Sequence, residues 1–378
     1  MKKMNASTGW LLRRLEKENK LKEINLKLVK TDEAEASSAR SVEDLVQAGF
    51  VPDATPELQA VAAQFSVAVT PAMLALIDPN DPSDPIAAQF VPSEKENKIL
   101  VEELRDPIGD RAFGQVEGIV HRYPDRVLFK LLHTCPVYCR FCFRREQVGQ
   151  GEGVLSREAI DRAIDYIHDH KEIWEVVFSG GDPLMLSDRR LGEIVARLND
   201  IPHVKVLRIH TRYPTVDPSR ITPSLITALR GRAPVYILLH CNHARELTEE
   251  ARAACARLVD AGFPMLSQSV LLRGINDTAE SLGELMRAFV ENRIKPHYLH
   301  HGDLAKGTSH FRVPIAEGQK LLRAMRGTMS GLCQPSYMLD IPGGHGKIPL
   351  DPVFAVDNGD GWLVEDFHGQ RHLYCETK

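Results

Sequence analysis

No apolar run in this chain approaches the roughly 20 residues that a membrane span needs. Residues 1–30 lack the apolar core of a secretory leader, and Glu16, Glu18 and Glu23 argue against an organellar transit sequence. There is no surplus of basic charge. Lys and Arg total 47 against 51 Asp and Glu, a net charge of −4, so no electrostatic field points to nucleic acid. Cysteine is too sparse and uneven for a disulfide framework: there are seven, and four of them are scattered. A G-x-G-x-x-G dinucleotide fingerprint is also missing. These absences leave a globular protein without membrane or nucleic-acid partners, expected in the cytoplasm.

What the chain does hold is concentrated in residues 133–145, HTCPVYCRFCFRR, where Cys135, Cys139 and Cys142 are spaced C-x3-C-x2-C. Thiolates are soft ligands for zinc, copper(I) or iron–sulfur clusters. A closed zinc site takes four ligands and would need a distant fourth. Three cysteines in one short loop can instead hold three irons of a cubane cluster and leave the fourth iron open to a ligand.

Around this loop the chain is periodic. Residues 1–45 are charged and helix-prone, and 46–65 and 71–78 read as short helices. The proline-rich stretch 78–93 reads as a strap without regular structure. From residue 126 strands and helices alternate. Strands are predicted at 127–132, 175–179, 204–210, 235–240, 263–270 and 295–300. The helices between them include one capped by Ser156, with Ile160, Ala163, Ile164 and Ile167 on one face. Six βα units mean a parallel sheet, and without a dinucleotide fingerprint they favour an α/β barrel or partial barrel. Polar segments close the strands: SGGD at 179–182, HTRYP at 210–214, HCNH at 240–243, SQS at 267–269 and HHGD at 300–303. Barrels carry their chemistry at those ends. A further strand is predicted at 336–339, and a β-hairpin over 353–367 turning at Asn358-Gly359 or Asp360-Gly361.

Three other segments carry chemical types. The Gly180-Gly181 pair permits positive φ and close approach of a ligand to backbone. The loop PGGHGK at 342–347 presents Lys347 but lacks the spacing and hydroxyl of a Walker loop, leaving a solvated lysine or an imine-forming one. HRYPDR at 121–126 supplies Arg122, Tyr123 and Arg126 ahead of the first predicted strand.

The cysteine triplet with Phe141 before its last cysteine, followed one βα unit later by SGGD, resembles the radical SAM enzymes. Together with PGGHGK and HRYPDR it resembles the lysine 2,3-aminomutase family from about Asp78 to Asp351. The resemblance implies a partial (β/α)6 barrel of radical SAM type, residues 111–310, preceded by a helical segment and strap at 1–110. A C-terminal extension, 311–378, would carry the cofactor lysine. It implies a 4Fe–4S cluster on Cys135, Cys139 and Cys142, S-adenosylmethionine on that cluster, and pyridoxal 5′-phosphate joined to Lys347. Ser179, Gly180, Gly181, Asp182, His240 and Gln268 would face the cofactors. Arg122, Tyr123 and Arg126 would hold the phosphate, and Arg144 the substrate α-carboxylate. Asp303 and Asp340 would grip a side-chain ammonium, selecting lysine over glutamate.

The implied reaction converts L-lysine to β-lysine through a 5′-deoxyadenosyl radical. It needs a reductant protein such as flavodoxin or ferredoxin, and a homo-oligomer is expected. Rival readings are an aminomutase serving lysine modification of translation elongation factor P, one acting on glutamate, and a non-catalytic Fe–S protein. The chain departs from the longer family members in having only Cys375 near its C-terminus and Thr278 after Asn276-Asp277, so a structural zinc is not expected and their tetramer is not implied.

Overall fold

The computed structural model describes residues 37–149, 153–359 and 361–376. Its frame is a nine-stranded sheet whose order in space is its order in sequence. The strands are β1 (Ile119–Tyr123), β2 (Arg126–Leu132), β3 (Glu175–Gly180), β4 (Val206–Thr211), β5 (Val235–His240), β6 (Met265–Val270), β7 (Lys295–His300), β8 (Ser336–Ile341) and β9 (Gly346–Pro349). Strands β2 to β8 run parallel, while β1 and β9 are antiparallel edges. The six predicted βα units are all present.

The local causes are plain. Ser156, Ser187, Thr222, Thr248 and Thr278 each accept a hydrogen bond from a backbone N–H in the first turn of the helix they open. The helix Arg157–Asp169 buries Ala159, Ile160, Ala163, Ile164 and Ile167 against the sheet. Strand β3 is buried at Glu175 and through Ser179, the pattern of a parallel strand covered on both faces. Phe129 and Phe178 stack across β2 and β3 with ring centroids 6.0 Å apart. Deleting either ring would cost about 3–5 kcal/mol.

Four predictions need correction. The helix expected over 46–65 is two, Val42–Gln47 and Pro56–Gln64, because Gly49 turns at φ +78° and Thr55-Pro56 opens a new helix. The helix expected over 71–78 is one turn, Pro71–Leu74. The strap contains a helical turn, Ala87–Phe90, where no regular element was expected. It lies between prolines, and Asp84 Oδ1 caps it by accepting from the N–H groups of Ile86 and Ala87, each at 2.8 Å. Finally, His121, Arg122 and Tyr123 do not precede the first strand. They lie in β1, and Pro124-Asp125 makes the tight turn into β2. The C-terminal hairpin also gains a third strand, giving Ala355–Asp357, Trp362–Glu365 and Arg371–Tyr374. Of the helix-prone segment 1–45, residues 1–36 lie outside the described residues.

A second apolar cluster joins the N-terminal layer to the cysteine loop. Val42, Leu45, Leu58, Val69, Met73 and Phe90 pack together with Val137. The loop's backbone is tied to the same layer: Tyr138 N–H donates to Ala68 O at 2.8 Å and Arg140 N–H to Gln89 O at 2.9 Å. No helix among the described residues is long and apolar enough to cross a membrane.

Candidate active site

The cysteine loop leaves the C-terminal end of β2. Its three cysteines are unpaired thiols, and they sense one another. Burial pushes the Cys142 thiol up to about 11, with the Cys139 sulfur adding to the rise. Cys135 is raised further by burial, Asp182 and the other two sulfurs. Thiols such as Cys135 and Cys142, whose ionisation burial and the neighbouring sulfurs oppose, suit a shared cation that favours the thiolate. The donor set therefore fits an iron–sulfur cluster.

Gly180 and Gly181 lie where β3 meets this loop. Gly180 adopts φ +104°. A Cβ at Gly181 would lie 2.6 Å from Thr134 N and closer still to the Thr134 carbonyl. The close approach these glycines permit is thus made by the cysteine loop's own backbone: Gly181 N–H donates to Leu132 O at 2.7 Å and Asp182 N–H to Thr134 O at 2.9 Å. Asp182 is buried. Its Oδ2 accepts from Thr211 Oγ1 and Arg212 N–H, both at 2.8 Å, and burial lifts its carboxyl to about 6.

Lys347 is brought to the acids expected to accompany it. In the β8–β9 register Asp340 faces Lys347, and Lys347 Nζ donates to Asp340 Oδ2. His300 Nδ1 is 3.9 Å from the same oxygen. Asp340 Oδ1 is buried without a partner. Asp303 is pushed up to about 7, first by burial and then by the Asp340 charge, with Lys347 and Arg144 pulling the other way. Lys347 N–H donates to Tyr123 Oη at 2.8 Å, so the last strand of the sheet is pinned to the first.

Asp110 joins the two expected anion holders. Its Oδ1 accepts from Arg122 Nη2 at 3.2 Å, and its Oδ2 accepts from Arg144 Nε at 3.0 Å and Nη2 at 2.8 Å. Arg144 Nη1 reaches Ser179 Oγ at 3.2 Å. A guanidinium has five N–H donors, so these contacts leave Arg144 two for a carboxylate. Arg122 Nε is buried without a partner. The buried cations and orphaned donor near Tyr123, which accepts from the Lys347 N–H, fit the phosphate and carboxylates of a pyridoxal–amino-acid site. The Arg126 guanidinium pairs with Asp125 at 2.6 Å and covers the Tyr123 ring at 3.8 Å. His240 and Gln268 are register partners at the ends of β5 and β6. The His240 ring is 5.7 Å from Phe141 of the cysteine loop, and burial holds it neutral.

Residue-by-residue sequence reasoning missed Asp110, Lys130, His210 and the roles of Arg212 and Glu246. His210 is desolvated and well below its ordinary value, with Nε2 unpartnered. Burial and Arg144 lower the Lys130 pKa. For His210 and Arg212 the strand-end segment HTR was a usable signal; Asp110 had none.

Residues 129–287 match the radical SAM superfamily. Over 340 residues the chain is 41% identical to L-lysine 2,3-aminomutase of Clostridium subterminale, spanning 89% of this chain and 81% of that one. It is 40% identical over 311 residues to the Acetoanaerobium sticklandii protein of the same name, covering 82% and 75%. It is 38% identical over 307 residues to glutamate 2,3-aminomutase of Clostridioides difficile, covering 81% and 72%.

Proposed function

Since the chain belongs to the lysine 2,3-aminomutase family of radical SAM enzymes, and is thus an isomerase using a 4Fe–4S cluster and S-adenosylmethionine, we propose that it converts free L-lysine to β-lysine with pyridoxal phosphate on Lys347. The cluster would rest on Cys135, Cys139 and Cys142. When bound, the cluster with S-adenosylmethionine supplies a carbon radical, and pyridoxal phosphate supplies the carbonyl that carries the migrating nitrogen.

The chain's own residues do the rest. Lys347 must give up a proton before its nitrogen can join a carbonyl, and Asp340 accepts a hydrogen bond from that nitrogen. Arg122 and Tyr123 are set to hold the phosphate. Arg144, already fixed by Asp110 and Ser179, offers its remaining N–H groups to the substrate α-carboxylate. Positioning and exclusion of water are the protein's part in such chemistry.

The observation that carries lysine over glutamate is the Asp303–Asp340 pair beside Lys347. With Lys347 given over to the cofactor, the buried Asp340 carboxylate would be left without its cation, which is costly unless another replaces it. A lysine side-chain ammonium would do so; a glutamate carboxylate would add a further negative charge.

Anaerobic incubation with S-adenosylmethionine, pyridoxal phosphate, dithionite and separate amino acids should give the β-isomer of lysine; β-glutamate with no β-lysine would overturn the substrate. Lys347→Ala should lose the imine absorbance of added pyridoxal phosphate while keeping its iron, and an unchanged spectrum would remove Lys347 from this role.

A further inference from the structure

Arg212, the first residue beyond β4, is buried against the cysteine loop with its side chain 6% exposed. Its Nη1 donates to Cys139 Sγ at 3.0 Å. Its Nη2 donates to Gln89 Oε1 at 3.1 Å and to Glu246 Oε2. The guanidinium lies over Phe90 at 4.8 Å and Phe141 at 5.8 Å. Glu246 is itself fully buried and immobilised. Its Oε1 accepts from the N–H groups of Asn242 at 2.9 Å and His243 at 3.0 Å, and from Gln89 Nε2 at 3.1 Å. A cation is thus wedged between one cysteine sulfur and one rigid carboxylate, in a region where water screens little.

We propose that Arg212 is a positioning residue that raises the reduction potential of the cluster by donating to the Cys139 sulfur, and that Glu246 both aims it and tempers its charge. The proposal rests on Cys139 being a cluster ligand. A cluster that takes up one electron becomes more negative, and its thiolate sulfurs share that charge. A donor and a positive charge at one sulfur therefore favour the reduced form. The Glu246 carboxylate pairs with the other terminal nitrogen, Nη2, rather than with the sulfur's donor, and opposes this effect more weakly. Removing the two residues should therefore move the potential in opposite directions. Removing Arg212 makes the cluster harder to reduce, and neutralising Glu246 makes it easier. General loosening of the site or entry of water would move both variants the same way.

The test is a dithionite titration of the anaerobically reconstituted full chain, followed by electron paramagnetic resonance without S-adenosylmethionine or substrate. Iron is counted first in each protein. Expected are a negative shift of the midpoint for Arg212→Met, a smaller negative shift for Arg212→Lys, and a positive shift for Glu246→Gln. If Arg212→Met takes up no iron, the Arg212→Lys and Glu246→Gln pair carries the same opposed signs. Midpoints equal to wild type, or shifts of one sign, would overturn the proposal while leaving the cluster assignment intact. Full iron in Cys139→Ala would instead remove the ligand assignment on which it stands.

Discussion

Asp303 is held protonated up to about pH 7, where an ordinary aspartate would have ionised near 4, because it is desolvated beside Asp340. A side-chain ammonium is bound better by the carboxylate than by the acid. The KM for lysine should therefore fall as pH rises through about 7, and a KM flat from pH 6 to 8 would remove Asp303 from the site. The linkage to stability has the opposite sense. A carboxyl with a raised folded pKa contributes stability fully present below its ordinary pKa near 4 and lost as pH rises through about 7. Thermal melts of Asp303→Asn should accordingly gain on wild type across that window. Asp340→Asn removes a charge-assisted contact worth roughly 1.5–3 kcal/mol. It should raise the lysine KM by about tenfold to a hundredfold and move the pH break to lower pH, since Asp340 helps hold Asp303 up; steady-state kinetics read both. Lys347, Asp303 and Asp340 were legible in sequence because they sit in short segments matching a known family. Asp110 was not. It matters only through Arg122 and Arg144, and nothing in its local sequence announces a contact across 34 residues.

Among the elements, the βα units were readable from alternation because parallel strands tend to be apolar runs and five of the helices carry a capping hydroxyl. The edges β1 and β9 were not. IVHRY and GKIP are short, half-polar and antiparallel, and they look like loops until a neighbour pairs with them. The junction of β3 with the cysteine loop was read as a place for a ligand, whereas its glycines serve first to let two backbones touch. Gly181→Ala should thus displace the loop through Thr134, and its signature is reduced iron content after reconstitution with the sheet still folded. Wild-type iron in that variant would show that the loop yields without harm.

On the scale of the whole molecule, Glu96 links segments far apart in sequence. It accepts from Arg140 Nε at 2.9 Å and Nη2 at 2.7 Å, and also from Arg145. Arg145 in turn donates to the carbonyls of Lys306 and Gly307 at 3.0 and 3.1 Å, just beyond Asp303. The turn Glu94–Asn97 that follows the strap, the cysteine loop and the loop after β7 thus meet at one fully buried carboxylate. Breaking such a pair costs about 3–5 kcal/mol. Glu96→Gln should lower the melting temperature by several degrees and weaken iron retention together, and a melt unchanged from wild type would show that this turn is not needed for the loop. None of this could be read from the sequence around Glu96, where the proline-rich stretch just before it pointed only to an irregular course.

The hydrogen bond from Lys347 to Tyr123 joins residues 224 positions apart and bridges the two ends of the sheet. In a chain made from its N-terminus, the cysteines and the glycine junction are complete long before Asp303, Asp340 and Lys347 exist. The part assigned to radical generation is therefore synthesised first, and the cage assigned to contain its product comes last. The seam between β1 and β9 closes only when synthesis has reached residue 347, so a chain arrested earlier lacks the lysine assigned to the second cofactor.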